Sequence, residues 1–263
     1  MNEQNFEYLK DNLKYMGFGE KLYGDLEQGL LSGAAEFQLS QTFEIHQKPL
    51  DVTLHFRRAE PSDRYFFNSY QASLKYSNGE VKDQVFYLSK GRGITAKEAY
   101  NLLDGRAVFK ELSNKEGTSY KAWLQLDFAQ KDGHNNYEVK QFHENYGFDL
   151  KAALGKYSLS EMDGGEREKA LLQSLQKGNL QAVGLVNDVG VTKMFVAANP
   201  QYKTLSFYDA EMKRATKEQL EPYVKEVLVA RKEAKQAEKQ DVGVEAKPKV
   251  AQAKKVQRAS KGL

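Results

Sequence analysis

With 263 residues, 40% of them hydrophobic and 29% charged, the chain can bury a sizeable core, as one large domain or two small ones, without disulfides or metals. It contains no cysteine, which excludes thiol catalysis, a disulfide framework and a cysteine-ligated zinc site. Its formal charge of +3 is uneven: residues 231–263 hold ten Lys or Arg and four Asp or Glu, a net of +6, so the first 230 residues stand at −3, and a basic contact with nucleic acid is expected of the tail alone.

Met1-Asn2-Glu3-Gln4 lacks the basic-then-apolar pattern of a signal peptide, and the longest uninterrupted apolar run, Met194 to Ala198, is far too short to span a bilayer. A cytoplasmic protein without a membrane partner is expected. Phe6, Leu9, Leu13 and Met16 recur at helical spacing before Gly17, and Leu22, Leu26 and Leu30 do so before Ser32-Gly33, which predicts two short helices. Helices of this length are marginal alone and need a surface to pack on.

From Phe37 to Leu88 the hydrophobic period becomes that of a strand. Phe37, Leu39, Phe43 and Ile45 alternate with polar residues, Val52, Leu54 and Phe56 do so after Pro49, and Tyr70, Ala72, Leu74 and Tyr76 do so again. Asn78-Gly79 then leads into Val81 to Leu88, and this pair predicts a type I′ hairpin, since both central residues need positive φ. Lys90-Gly91-Arg92-Gly93 reads as a plain connector and a domain boundary, because it lacks the Gly-Lys-Ser/Thr ending of a phosphate loop.

Thr95 and Glu98 have the spacing of a capping box, Ala99, Leu102 and Leu103 form a short stripe, and Asp104-Gly105 ends that helix. Ala107 to Leu112 is a strand, and so is Tyr120 to Phe128, with Tyr120, Ala122, Leu124, Leu126 and Phe128 on one face and Lys121, Trp123, Gln125 and Asp127 on the other. Tyr137 to Phe142 follows as a strand and Phe148 to Leu154 as a helix. Glu166 to Lys177 is the next helix, ended by Gly178-Asn179 and followed by strands at Leu180 to Val186, Val191 to Ala198 and Lys203 to Tyr208.

A helix ending in leucine and glycine, then about three strands, thus occurs three times, an order compatible with a repeated unit as well as with ordinary α+β succession. Thr216 to Gln240 carries a last helical stripe, Leu220, Val224, Val227 and Leu228, with Pro222 in its first turn. Beyond Asp241 the composition cannot repay the entropy of folding, and disorder is expected. The fold class is α+β: antiparallel sheets with short helices packed on one side. The divisions are 1–90 for the first helices and sheet, 91–215 for the central and C-terminal α+β region, 216–240 for the last helix and 241–263 for a basic tail.

Several constellations carry chemistry in other chains. His46 and His55, and His134 and His143, are nine residues apart, but metal binding needs at least three converging ligands. Asp104, Asp127 and Asp149 each have a structural use at hand, as a turn residue, on a polar strand face and as a helix cap. No catalytic residue, metal or cofactor is expected from the pattern. Trp123, on the polar strand face, has two readings: burial beneath a neighbouring helix, with the sheet covered on both sides, or an exposed contact for a partner framed by Arg92 and Arg106. Lys247, Lys249, Lys254, Lys255, Arg258 and Lys261 of the tail could neutralise phosphates without sequence preference.

The run Gly93-Ile94-Thr95-Ala96-Lys97-Glu98-Ala99-Tyr100-Asn101-Leu102-Leu103-Asp104-Gly105-Arg106-Ala107-Val108 resembles a family of uncharacterised proteins, as do Ala122 to Phe128, Ser174 to Asn179 and Ala198 to Leu205. That family is a domain of unknown function carried on conjugative and other mobile elements of Bacteroidetes, often beside genes for DNA processing, and the resemblance covers about Gly91 to Leu220. It implies a setting and no catalytic residue. The expectation is a non-catalytic binding or adaptor protein of a mobile element, accessory to DNA transfer or excision, whose partners are a DNA-processing protein, DNA or both. The competing class is an enzyme with a dispersed site.

Overall fold

In the computed structural model, which describes residues 2–114, 116–231 and 233, each stretch of alternating hydrophobicity has become an antiparallel sheet. The first sheet has strand order β1 (Glu36–Ile45), β2 (Lys48–Arg58), β3 (Tyr65–Lys75), β4 (Val81–Tyr87), preceded by α1 (Glu3–Tyr15) and α2 (Tyr23–Leu31). Next come α3 (Ala96–Leu103) and a sheet of β5 (Val108–Ser113), β6 (Ser119–Lys131) and β7 (Tyr137–His143). After α4 (Leu150–Gly155) and α5 (Glu166–Gln176), the third sheet runs β8 (Gln181–Val186), β9 (Val191–Asn199), β10 (Thr204–Tyr208). Helix followed by antiparallel meander therefore recurs three times, with four strands the first time. Each junction turns on a left-handed glycine, Gly33, Gly105 or Gly178, a conformation that costs a side-chain-bearing residue far more.

Two cores result. Leu9, Leu13, Leu26 and Leu30 of the first helices join Leu50, Val52, Leu54, Phe56, Tyr70 and Leu74 of the sheet in one of them. This core also takes Ala99, Tyr100, Leu102 and Leu103 of α3 and Val108, Ala122, Leu124 and Leu126 of the second sheet, so it runs across the boundary read at residue 90. Trp123 and Phe142, on the opposite face of that sheet, belong to the second core with Leu154, Leu171, Leu175, Leu185, Val196 and Phe207. The middle sheet is thus shared, one face to each core.

Local expectations hold where a cap or stripe decided them. Thr95 and Glu98 form the reciprocal capping box of α3, and Asp149 caps α4 by accepting from the Ala152 N–H at 2.9 Å. The turns differ. At Ser77-Asn78-Gly79 only Gly79 has positive φ, Gly79 N–H donates to Tyr76 C=O and Tyr76 N–H to Glu80 C=O. This is a three-residue loop, a type I turn closed by a left-handed residue, in place of the type I′ turn expected from Asn-Gly. Two-residue turns with both φ positive occur instead at His46-Gln47 and at Lys90-Gly91, the supposed connector. In β3 a bulge at Asn68 breaks the alternation, so that Phe67 and Tyr70, three apart, both face the core.

Three sheet edges are shielded. Asn136 Oδ1 accepts from Val85 N–H on β4 at 2.8 Å. The 158–160 segment hydrogen-bonds along β8, Val186 N–H to Ser158 C=O and Ser160 N–H to Gly184 C=O, and Ala215 N–H donates to Phe207 C=O on β10.

The last helix is not continuous: α6 spans only Lys217–Leu220, Pro222 lies in a following turn, and Val224 is extended and bridged to Tyr157 before residues 225–231 resume helix. The interruption has a tertiary cause, because Ser158 N–H donates to Tyr223 C=O and Lys225 N–H to Lys156 C=O. The remainder of the 216–240 stripe and the 241–263 tail, with its expected disorder, lie outside the described residues apart from Glu233. No helix among the described residues is long and apolar enough to cross a membrane.

Candidate functional site

Where the β1–β2 and β3–β4 turns of the first sheet meet α3 and the β6–β7 hairpin end, cationic and aromatic side chains alternate in one stripe. Lys97 lies over the Tyr100 ring at 5.0 Å and Arg106 over the same ring at 5.4 Å. Arg106 pairs with Asp104, whose other oxygen takes Lys48 at 2.6 Å. Lys48 and Lys82 each lie 4.7 Å from the Tyr76 ring, and Lys82 also lies 4.0 Å from Phe128. Phe128 meets Tyr137 edge-on at 4.9 Å, and Lys131 sits 4.7 Å above Tyr137.

The rings are anchored from within. Tyr100 is 1% exposed, and Tyr76 donates its hydroxyl to Leu103 C=O at 2.9 Å. Burial, together with the Asp104 carboxylate, pushes the Tyr76 phenol well above its ordinary range and raises that of Tyr100. They therefore act as neutral, fixed platforms on which each ammonium gains about 0.5–2 kcal/mol from the ring quadrupole. Bases cannot stack on rings whose faces are already occupied, so the groups left to meet a ligand are the ammonium ends.

Charge in the stripe is unbalanced: Lys48, Lys82, Lys97, Arg106 and Lys131 stand against Asp104, Glu80, which lies 3.6 Å from Lys82, and Asp83, whose charge acts on Tyr137. At Lys97 the imbalance is felt directly, since burial and the neighbouring Arg106 hold its pKa below the usual lysine value despite some relief from Asp104. An anion placed there would relieve that repulsion. A Lys97→Met variant should accordingly unfold within about 0.5 kcal/mol of the parent in urea, because the methionine keeps the stem over Tyr100 and removes a disfavoured charge. Lys48→Met should cost more, by removing one of the two cations paired with the partly buried Asp104.

The residues singled out from the sequence fare differently. Trp123 is 5% exposed, set between Phe109 at 5.3 Å and Phe148 at 5.4 Å. The covered-sheet reading is therefore the one realised, and the exposed contact is overturned. Arg106 does not frame a surface, because its side chain is 12% exposed and commits three of its five donors internally, Nε to Gly178 C=O, Nη1 to Asp104 and Nη2 to Asn101. Arg92 is exposed in the Ser89–Arg92 turn, whose Gly91 packs against Asn12 of α1, away from the second core that holds Trp123. Lys247, Lys249, Lys254, Lys255, Arg258 and Lys261 lie outside the described residues.

Sequence reading missed Lys48, Lys82, Lys97 and Lys131 as a set, since they come from four separate elements. The signal that existed was the spacing of each to a nearby aromatic, Lys97 to Tyr100 along one helix face and Lys131 to Tyr137 across a hairpin.

The carboxylates that an acid–base pair would need are engaged structurally. Asp127 pairs with Lys140 and accepts from Ala129 N–H, which together hold its carboxyl below the usual range. Among the described residues no three His, Asp or Glu side chains gather as a metal would require. A depression of about 400 Å³ at the start of the first sheet is lined by Glu36, Arg57, Arg58 and Phe66 among others. Three of its charged groups are engaged within the fold: Arg57 pairs with Glu36 at 3.4 Å and Arg58 donates to Gly33 C=O at 3.1 Å.

No family model, no curated protein and no solved structure matches this chain.

Proposed function

We propose that this chain is a non-catalytic binding module that takes up a nucleic-acid backbone along the cation–aromatic stripe, with Lys82, Lys97 and Lys131 on phosphates. The observation that carries the reading is the excess of ring-seated ammonium groups over carboxylates in one continuous stripe. Such an arrangement favours phosphate contact without base readout, so binding would be salt-sensitive and tolerant of sequence. The setting we propose, as an accessory of DNA transfer or excision on a mobile element beside a DNA-processing partner, rests on the sequence resemblance. Lys247, Lys249, Lys254, Lys255, Arg258 and Lys261 would add a second electrostatic contribution to the same backbone.

The test is a titration of labelled single- and double-stranded oligonucleotides at increasing salt, using the full chain, a Lys82→Ala/Lys97→Ala/Lys131→Ala variant and a chain ending at residue 240. Removing one phosphate-neutralising side chain lowers the slope of log K against log salt by about 0.7 for a single strand and 0.9 for a duplex, so the triple variant should flatten it by about 2.1 and about 2.7 respectively. A triple variant with the parent slope, alongside a truncated chain that no longer binds, would assign all binding to the tail and end this reading of the stripe.

A further inference from the structure

Among the described residues β1 pairs on one side only, with β2 over ten consecutive residues. The two-residue turn His46-Gln47 closes on Ile45 and Lys48, and at the far end Arg58 N–H donates to Ala35 C=O. The odd-numbered residues therefore exchange hydrogen bonds with β2, and Glu36, Gln38, Ser40, Thr42 and Glu44 turn their N–H and C=O groups to the open side. β4 is covered by the Asn136 side chain, β8 by the 158–160 segment and β10 by the chain at Ala215. β1 has no such cover among the described residues, and it lacks the proline, lysine or bulge with which natural edges discourage pairing.

We propose that β1 pairs antiparallel with β1 of a second copy of this chain, about a two-fold axis through Gln41, joining two four-stranded sheets into one. Gln41 sets that register, because its side-chain oxygen is buried without a hydrogen-bond partner, a condition that costs about 1–3 kcal/mol. Centred there, the two Gln41 side chains oppose each other in a non-hydrogen-bonded pair, where strands come closest, and a rotation of each side chain brings its oxygen, enclosed in the single copy, out to the other's amide N–H.

The remaining pairs match as well. Phe37 meets Ile45 and Leu39 meets Phe43 on the core side, while Ser40 meets Thr42 and Gln38 meets Glu44 on the solvent side. Shifting the axis to Ser40 would set Glu36 against Glu44 twice and put the Gln41 amide against Leu39. Like charges directly opposed destabilise a pair of strands, which favours the first register.

Sedimentation equilibrium of the full chain should show a monomer–dimer equilibrium that moves toward dimer with concentration. Ser40→Pro removes an outward N–H and no bond to β2, so it should leave a folded monomer by circular dichroism. Because the chain has no cysteine, Gln41→Cys should cross-link to its own copy under mild oxidation and revert with reductant, whether or not the proline variant folds. Three outcomes overturn the proposal: a monomer at every concentration, which leaves the edge to an extended peptide; a dimer that Ser40→Pro leaves intact; or cross-linking of Ser40→Cys in preference to Gln41→Cys.

Discussion

Gly178→Ala should cost about 3 kcal/mol or more, read as a lower urea midpoint at unchanged slope. Two independent terms add. Gly178 has φ +77, a conformation that costs an L-residue about 1–2 kcal/mol. A Cβ there would lie 2.8 Å from Ala107 O, 2.9 Å from Val108 Cγ2 and 3.0 Å from Asn101 Cβ, and neither a backbone carbonyl nor a fully buried asparagine can step aside, which adds about 1–3 kcal/mol of overpacking.

Gly164→Ala separates the terms, because Gly164 has φ +77 with nothing within 4 Å of its would-be Cβ. It should lose only the conformational part, about 1 kcal/mol. Equal losses at the two sites would mean that the α5–β8 junction is not pressed against the α3–β5 junction.

That contact also shows what was legible in the sequence and what was not. Gly105 and Gly178 were readable as helix stops, because a left-handed residue after a leucine stripe is a local requirement. That Asn101 donates to Lys177 C=O at 2.7 Å and to Asn179 Oδ1 at 3.0 Å, while Arg106 reaches Gly178 C=O, was not readable, since residues more than seventy apart leave no periodic trace. Strand faces were legible for the same local reason, and β6 divides between the two cores along the alternation of its side chains. The Asn78-Gly79 turn failed because the dipeptide fits two loop lengths, and the strand register, a tertiary property, chose between them. The stripe of cations was hidden because its lysines are neighbours only after four elements meet.

Trp123 offers the second large effect and its own reporter, being the one tryptophan in the chain. Its emission in the native state should be blue-shifted and poorly quenched by iodide, moving to the red only with global unfolding, since the indole is 5% exposed. Trp123→Ala should cost about 3–5 kcal/mol, the range for deleting a large buried aromatic side chain, because it removes the ring held between Phe109 and Phe148. Trp123→Phe should recover much of this, keeping a ring opposite Phe142 in the strand pair. Were the indole a surface anchor for a partner, the alanine variant would be stable to within about 0.5 kcal/mol and the native emission already red. The sheet between the two cores makes these outcomes exclusive, because one face of β6 already belongs to the first core and Trp123 is the largest side chain on the other.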